Sequence, residues 1–157
     1  MSEFNLVAMG GTFDILHKGH IALLSKAFSI STKVIIGLTS DELAKLKGKK
    51  ILNSYEKRLK NLENMINTNF SNALYQISKL DNDFGPAVFE SEVEALVVSK
   101  ETENQGAVLN KLRTEKNMIP VKVVVVPMIL AKDGNRISTT RIKNSEIDTE
   151  GNLSGVD

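Results

Sequence analysis

The sequence predicts a one-domain α/β fold, a doubly wound parallel sheet of five strands wrapped by helices. Three observations predict it. Short β-branched runs alternate with longer stretches of helical period, the order that builds a parallel sheet through crossover helices. The runs KVIIGL, ALVVS and VKVVVV are mostly apolar rather than alternating, as strands covered on both faces are. The chain is 157 residues long, the size of one compact domain with its own core.

In chain order, residues 6–9, 33–38, 73–78, 95–99 and 121–126 read as the strands. Ile21, Leu24 and Phe28 fall at i, i+3 and i+7 between the first two strands. Tyr55, Leu59, Leu62 and Ile66 fall at i, i+4, i+7 and i+11 before the third. Each set forms a stripe along one helix face. A third helix around Val108, Leu109 and Leu112 precedes the last strand. Residues 81–86 read as a loop and 144–157 as a polar tail. No repeat or linker divides the chain, so 1–157 is expected to form a single domain.

Composition excludes several function classes. There is no cysteine, hence no disulfide framework, thiolate nucleophile or cysteine-based metal site. Twenty Lys and Arg against nineteen Asp and Glu leave a net charge of +1, too little for a surface that grips nucleic acid or anionic membrane. Aromatic residues make up 5% of the chain, with no Trp, which argues against a base-stacking platform. The start lacks the basic and apolar regions of a signal peptide. The longest nearly apolar run, 123–131, is broken by Pro127 and falls short of the roughly 20 residues that span a bilayer. The expectation is a cytoplasmic domain acting on a small molecule, without nucleic-acid or membrane partners. Apolar pattern alone does not give an oligomeric state; the leaning is to a monomer.

In open parallel sheets ligands bind beyond the carboxyl ends of the strands, where the strand order reverses. The windows after the strands are 10–20, 39–50, 78–83, 99–102 and 128–141. The first holds GGTFDILHKGH. Gly10 and Gly11 allow a tight turn and close approach of backbone to ligand. A helix starting at Gly19 or His20 would aim free N–H groups and its positive dipole end at an anion. His17 and His20, the only two histidines, lie three apart, so both rings can reach one phosphate. A zinc site from the two histidines and Asp14 is one alternative, and plain packing of the rings is another. Phosphate binding accounts for the glycines, the histidines and the helix start together. The GxxxxGK[ST] and GxGxxG fingerprints are both missing.

GGTFDILHKGH resembles the (H/T)xGH signature of the nucleotidyltransferase superfamily, and RISTTR (136–141) resembles its second, ISSTxxR-type signature. The segments GLTSDELAK, NSYEKRLKNL, VVSKET and EIDTEGNL narrow the likeness to the archaeal and eukaryotic type of phosphopantetheine adenylyltransferase. The resemblance covers nearly the whole chain. It implies a Rossmann-like fold and transfer of AMP from ATP to 4′-phosphopantetheine, giving dephospho-coenzyme A and pyrophosphate.

That resemblance also implies roles. His20 would donate to the α-phosphate and His17 would hold the ATP phosphates, with Gly10 beside them. Thr12 would contact the acceptor phosphate, with Gly11 and Phe13 on the same substrate side. Lys49 is the first choice for the phosphate-binding lysine, with Lys50 next to it, while Lys45 and Lys47 read equally well as a solvated face. Ser138 or Thr139 would cap a short C-terminal helix and, with Thr140, hold the β- and γ-phosphates, to which Arg141 would add a guanidinium. Ser99, Glu101 and Thr102 are candidates for the adenine and ribose, because no arginine stands at 99–101 as in the bacterial type. Mg²⁺ is expected on the ATP phosphates rather than in a protein cage. Asp14 is either its helper or a turn residue.

Rivals within the superfamily are cytidylyltransferases, whose RTxG lead-in is replaced here by KDGNR, and nicotinamide-mononucleotide or flavin adenylyltransferases. A non-catalytic nucleotide or coenzyme A sensor is the rival from another class. Charge is also unevenly spread. Residues 43–60 carry seven basic side chains and one acidic, and 81–103 carry seven acidic and one basic. The basic segment follows the second strand, where an anionic substrate would need it.

Overall fold

A computed structural model gives the structure, which describes residues 3–127 apart from 83, 86, 88 and 89. The strands are β1 (Phe4–Gly11), β2 (Ser31–Thr39), β3 (Tyr75–Leu80), β4 (Ala95–Ser99) and β5 (Lys122–Val126), and the helices are α1 (Lys18–Ile30), α2 (Asp41–Leu46), α3 (Tyr55–Asn69) and α4 (Asn104–Glu115). All five strands are parallel, in the order β3-β2-β1-β4-β5. The doubly wound sheet expected from the sequence is therefore present. From β1 the chain steps outward to β2 and β3, then returns to the other side for β4 and β5. The order reverses between β1 and β4.

Side chains alternate across the sheet, so the two faces build two cores. Val7, Met9, Val34, Ile36, Leu38, Ala95 and Val97 meet α1 and α3 on one face. Ala8, Ile35, Leu96 and Val98 meet Leu109 of α4 and the segment before β4 on the other. Leu62 and Ile66 are wholly buried on α3, and each contributes roughly 1.5–3 kcal/mol by leaving water.

Four details differ from the sequence reading. α1 starts at Lys18, before Gly19, with His17 as its N-cap. α2, only six residues long, is too short to display a periodic stripe; its Ser40 cap, accepting from the Leu43 N–H at 3.0 Å, is its main local signal. On α4 the buried positions are Gly106, Leu109 and Arg113, while Val108 is 50% exposed. A short run of apolar residues does not say which of two adjacent ones faces inward. The last strand, β5, is not covered on both faces along its length. It lies at the sheet edge, where Lys122 and Val125 are exposed.

Two buried arginines link loops to this frame. Arg113 donates to the carbonyls of Ala87, Glu90, Val93 and Ile119 at 2.7–3.3 Å, which fixes the approach to β4 against α4. Burial lowers its pKa. Arg58, the second, lies under the loops at the carboxyl ends of β1 and β2. Ser138, Thr139, Thr140 and Arg141, and the polar tail, lie outside the described residues.

Candidate active site

His17 caps α1 with its ring. Its Nδ1 accepts the Gly19 N–H at 3.0 Å, and Nδ1 of His20 accepts the His17 N–H at 3.2 Å. The two bonds form a reciprocal capping box, built from imidazoles instead of the usual Ser and Glu. An Nδ1 that accepts carries no proton, so each neutral ring has its hydrogen on Nε2. The ring centroids are 4.0 Å apart. Burial, and secondarily the neighbouring His17, lowers the pKa of His20 to about 3. Two charged rings at this spacing would repel each other, and His20, kept neutral, offers its Nε2–H as a donor. Phe13 closes the stack from below, its ring 5.0 Å from that of His20.

Lys49 reaches the same loop from the opposite side. α2 ends in a Schellman turn: Gly48, at φ 74°, donates to Lys45 O, and the Lys49 N–H donates to Ala44 O, both at 3.0 Å. The left-handed glycine reverses the chain without a Cβ penalty. The ammonium of Lys49 then donates to Thr12 Oγ1 at 3.0 Å. The two residues singled out for the acceptor phosphate are thus brought together from loops 37 positions apart.

Asp14 fastens these loops. Its carboxylate accepts the backbone N–H groups of Leu52 and Asn53 at 2.8 and 3.0 Å, and Asn53 Nδ2 bonds back to Asp14 O at 3.0 Å. This is a cross-loop clamp. Both carboxylate oxygens are engaged by N–H donors, and the side chain is buried, so it does not fit the part of a magnesium ligand. Among the described residues no group of three or more His, Asp and Glu is placed to hold a metal ion.

Arg58 lies beneath, with no exposed surface. It donates to Thr12 O at 2.9 Å, Thr39 O at 2.7 Å and Asn53 O at 3.1 Å, and pairs with Asp41 at 2.7 Å. Thr39 Oγ1 in turn bonds Gly11 O at 3.1 Å. The hydrogen bond from Arg58 is the main reason that Asp41 has a lowered pKa.

A cleft of about 210 Å³ opens at the carboxyl ends of the strands. Gly10, Gly11, Phe13, His20, Lys49, Ser99 and Thr102 all line it. Phe13 is only 2% exposed, so it serves the core as well as the cleft wall. Ser99 and Thr102 bond each other through their hydroxyls at 3.0 Å. His17 is outside the lining and meets the cleft through His20. Lys50 is exposed and is not part of the lining. The side chain of Glu101 lies outside the described residues.

Thr39, Leu80, Phe84 and Gln105 also line the cleft, and sequence reasoning did not select them. So does Lys47, which read equally well as a solvated face. Thr39 and Lys47 stand in the window after β2, so position was their signal. Leu80 fits because a Cβ on Gly37 would come within 2.7 Å of it, a pairing visible only in three dimensions. Arg58 had one usable sign: a charged residue on the inward stripe of an amphipathic helix.

Comparison with known proteins places the chain in a family. Residues 8–145 match the cytidylyltransferase-like family. The chain is 40% identical over 151 residues to the phosphopantetheine adenylyltransferase of Methanothermobacter thermautotrophicus, covering 96% of this chain and 90% of that one. It is 43% identical over 154 residues to the phosphopantetheine adenylyltransferase of Pyrococcus horikoshii, covering 97% and 96%. A crystal structure of a protein of unknown function from Archaeoglobus fulgidus superposes with a TM-score of 0.69 at 30% identity, covering 76% of this chain and 87% of that one. The chain belongs to the cytidylyltransferase-like family and, within it, to the group of the archaeal phosphopantetheine adenylyltransferases.

Proposed function

We propose that the protein transfers the adenylyl group of ATP to 4′-phosphopantetheine, releasing pyrophosphate and dephospho-coenzyme A. The observation that carries this reading is the contact that brings Lys49 onto Thr12, at the start of the segment that leads to His17 and His20. It gives one short segment two separate kinds of phosphate donor. An oxygen of the acceptor phosphate attacks the α-phosphorus of ATP, the bond from that phosphorus to the β-bridging oxygen breaks, and pyrophosphate leaves. The attacking phosphate monoester is already an anion, so no general base is required.

Placement and charge stabilisation therefore carry the rate. Lys49 and the Thr12 hydroxyl hold the acceptor phosphate. Nε2–H of His20 donates to the α-phosphate oxygens as charge builds there, and His17 orients His20 while binding the triphosphate. Ser99 and Thr102, at the end of β4, suit the nucleoside. Ser138, Thr139, Thr140 and Arg141 complete the triphosphate site in this reading. Mg²⁺ comes as the ATP complex, held by phosphates and water, since Asp14 is engaged elsewhere. It adds positive charge on the triphosphate.

No helix among the described residues is long and apolar enough to cross a membrane. A cysteine-free chain drawing on ATP suits the cytoplasm, where we place it. The test is a substrate panel read by mass spectrometry: ATP or CTP with each phosphorylated acceptor. Dephospho-coenzyme A and pyrophosphate, formed only when ATP and phosphopantetheine are both present, support the reading. A CDP-linked product overturns it in favour of a cytidylyltransferase, and absence of any turnover does so in favour of a binding module.

A further inference from the structure

The inward stripe of α3 consists of Leu62, Ile66 and, one turn earlier, Arg58. An apolar side chain there would serve the core at no electrostatic cost, whereas a buried guanidinium must be matched by partners to be tolerated. Besides the Tyr55 ring of its own helix, its described side-chain hydrogen-bond partners lie at the active end of the sheet: Thr12 O after β1, Thr39 O at the end of β2, Asn53 O before α3, and Asp41 in the first turn of α2. These are the segments that deliver Thr12 and Lys49.

We propose that Arg58 is the positioning residue for the acceptor phosphate, holding Thr12, and through it the Lys49 ammonium, in place for the attack. This rests on the adenylyl-transfer reading above. The mechanics lie in one peptide. Phe13 has φ 51°, a left-handed conformation uncommon for an aromatic residue. Turning over the Thr12–Phe13 peptide would relieve it. The bond from Arg58 Nη1 to Thr12 O, at 2.9 Å, opposes that rotation. The same Nη1 bonds Thr39 O, so the loops after β1 and β2 are set against each other by one nitrogen. The Thr12 hydroxyl then stands where Lys49 meets it. The Phe13 ring meets His20 at 5.0 Å, a packing contact and not a hydrogen bond from the Thr12–Phe13 peptide, so the ATP side is expected to shift less than the acceptor side.

The experiment compares the wild type with Arg58→Lys and Asp41→Asn by thermal melting, ATP affinity by calorimetry, and kcat and KM for phosphopantetheine. A lysine cannot bridge the Thr12 and Thr39 carbonyls as a guanidinium does. Arg58→Lys is expected to lower acceptor kcat/KM about 10–100-fold, the scale of a misplacement near 1 Å. Its Kd for ATP is expected to change less than about threefold, since the ATP side meets this peptide through ring packing and not a hydrogen bond. Asp41→Asn, which keeps the three carbonyl bonds, is expected to show a smaller loss with the same selectivity. Equal losses for both substrates, or none, overturn the proposal. If Arg58→Lys does not fold, Asp41→Asn decides, and wild-type acceptor kinetics there overturn it. If the wild type itself forms no product, the reaction reading falls. The positioning role is then read from crystal structures of the wild type and Arg58→Lys, or Arg58→Gln should the lysine variant not fold: a lost Lys49–Thr12 contact supports it and an unchanged one overturns it.

Discussion

Histidine at a helix N-cap is a costly choice unless the ring has other work. Asn, Asp or Ser would satisfy the same N–H. In this protein the two capping bonds use Nδ1 of each ring, so capping does not consume the Nε2–H of His20, which lines the cleft. His20→Ala should lower kcat by about 10²–10³, the loss typical of one transition-state donor, with ATP affinity nearly intact. His20→Gln, which places an amide N–H near the Nε2 position, should retain more activity than His20→Ala. The pH dependence follows from the lowered pKa, about 3 against 6.5 unfolded. His20 stays neutral in the free enzyme across pH 5–8. It should therefore add no inflection near 6.5 to kcat/KM, which reports the free enzyme. The unfolded chain takes up the proton first, so the stability tied to neutral His20 is complete above 6.5 and declines as pH falls toward 3. Turnover close to wild type in His20→Ala, or an inflection near 6.5 that vanishes with it, contradicts this account. The histidines were legible in the sequence because they lie in a compact motif just after a strand, and Lys49 was singled out through the family resemblance. The clamps were not: Arg58 meets Thr12 across 46 positions and Asp14 meets Leu52 across 38, and such pairings leave no local trace.

Short elements deliver the lysine. α2, its Schellman turn and the Asp14 clamp together turn 47–53 so that Lys49, and not Lys45, meets Thr12. Lys45, exposed in the last turn of α2, complements the helix dipole. Lys49→Ala should raise the phosphopantetheine KM or lower kcat, while Lys45→Ala should do neither; steady-state kinetics on both variants separate them. On the opposite face, Gly106 brings α4 against β5, where an added Cβ would come within 2.3 Å of Val123. Alanine gains up to about 1 kcal/mol of helix propensity, but overpacking typically costs about 1–3 kcal/mol. Overpacking should win, so Gly106→Ala should lower the urea midpoint; a raised midpoint would mean that the helix shifts freely. Periodicity found every strand and the three longer helices because each repeats its pattern over several turns or residues. It placed α4 around Val108, Leu109 and Leu112 without saying which of them faces inward, and it overstated the cover of β5. An apolar run reports burial on average, not the edge position of a strand or the side a given residue faces.

Over the whole molecule, near-zero net charge conceals a division. The basic stretch of 43–60 supplies Lys47 and Lys49 to the cleft, while the acidic stretch of 81–103 follows β3 and leads through β4. A uniformly basic surface would bind polyanions; one basic segment beside a narrow cleft suits a small phosphorylated substrate. The strand order places that cleft at the reversal between β1 and β4, as the fold class requires. The absence of cysteine likewise costs the mechanism nothing, because positioned donors are all that an in-line displacement asks of the protein. The most direct test uses ATP labelled on the α-phosphorus, incubated with the protein, Mg²⁺ and 4′-phosphopantetheine. The account expects the label in dephospho-coenzyme A and none in pyrophosphate. Label that stays in ATP, while α-labelled CTP with a phosphorylated acceptor yields a labelled CDP-linked product, would contradict it.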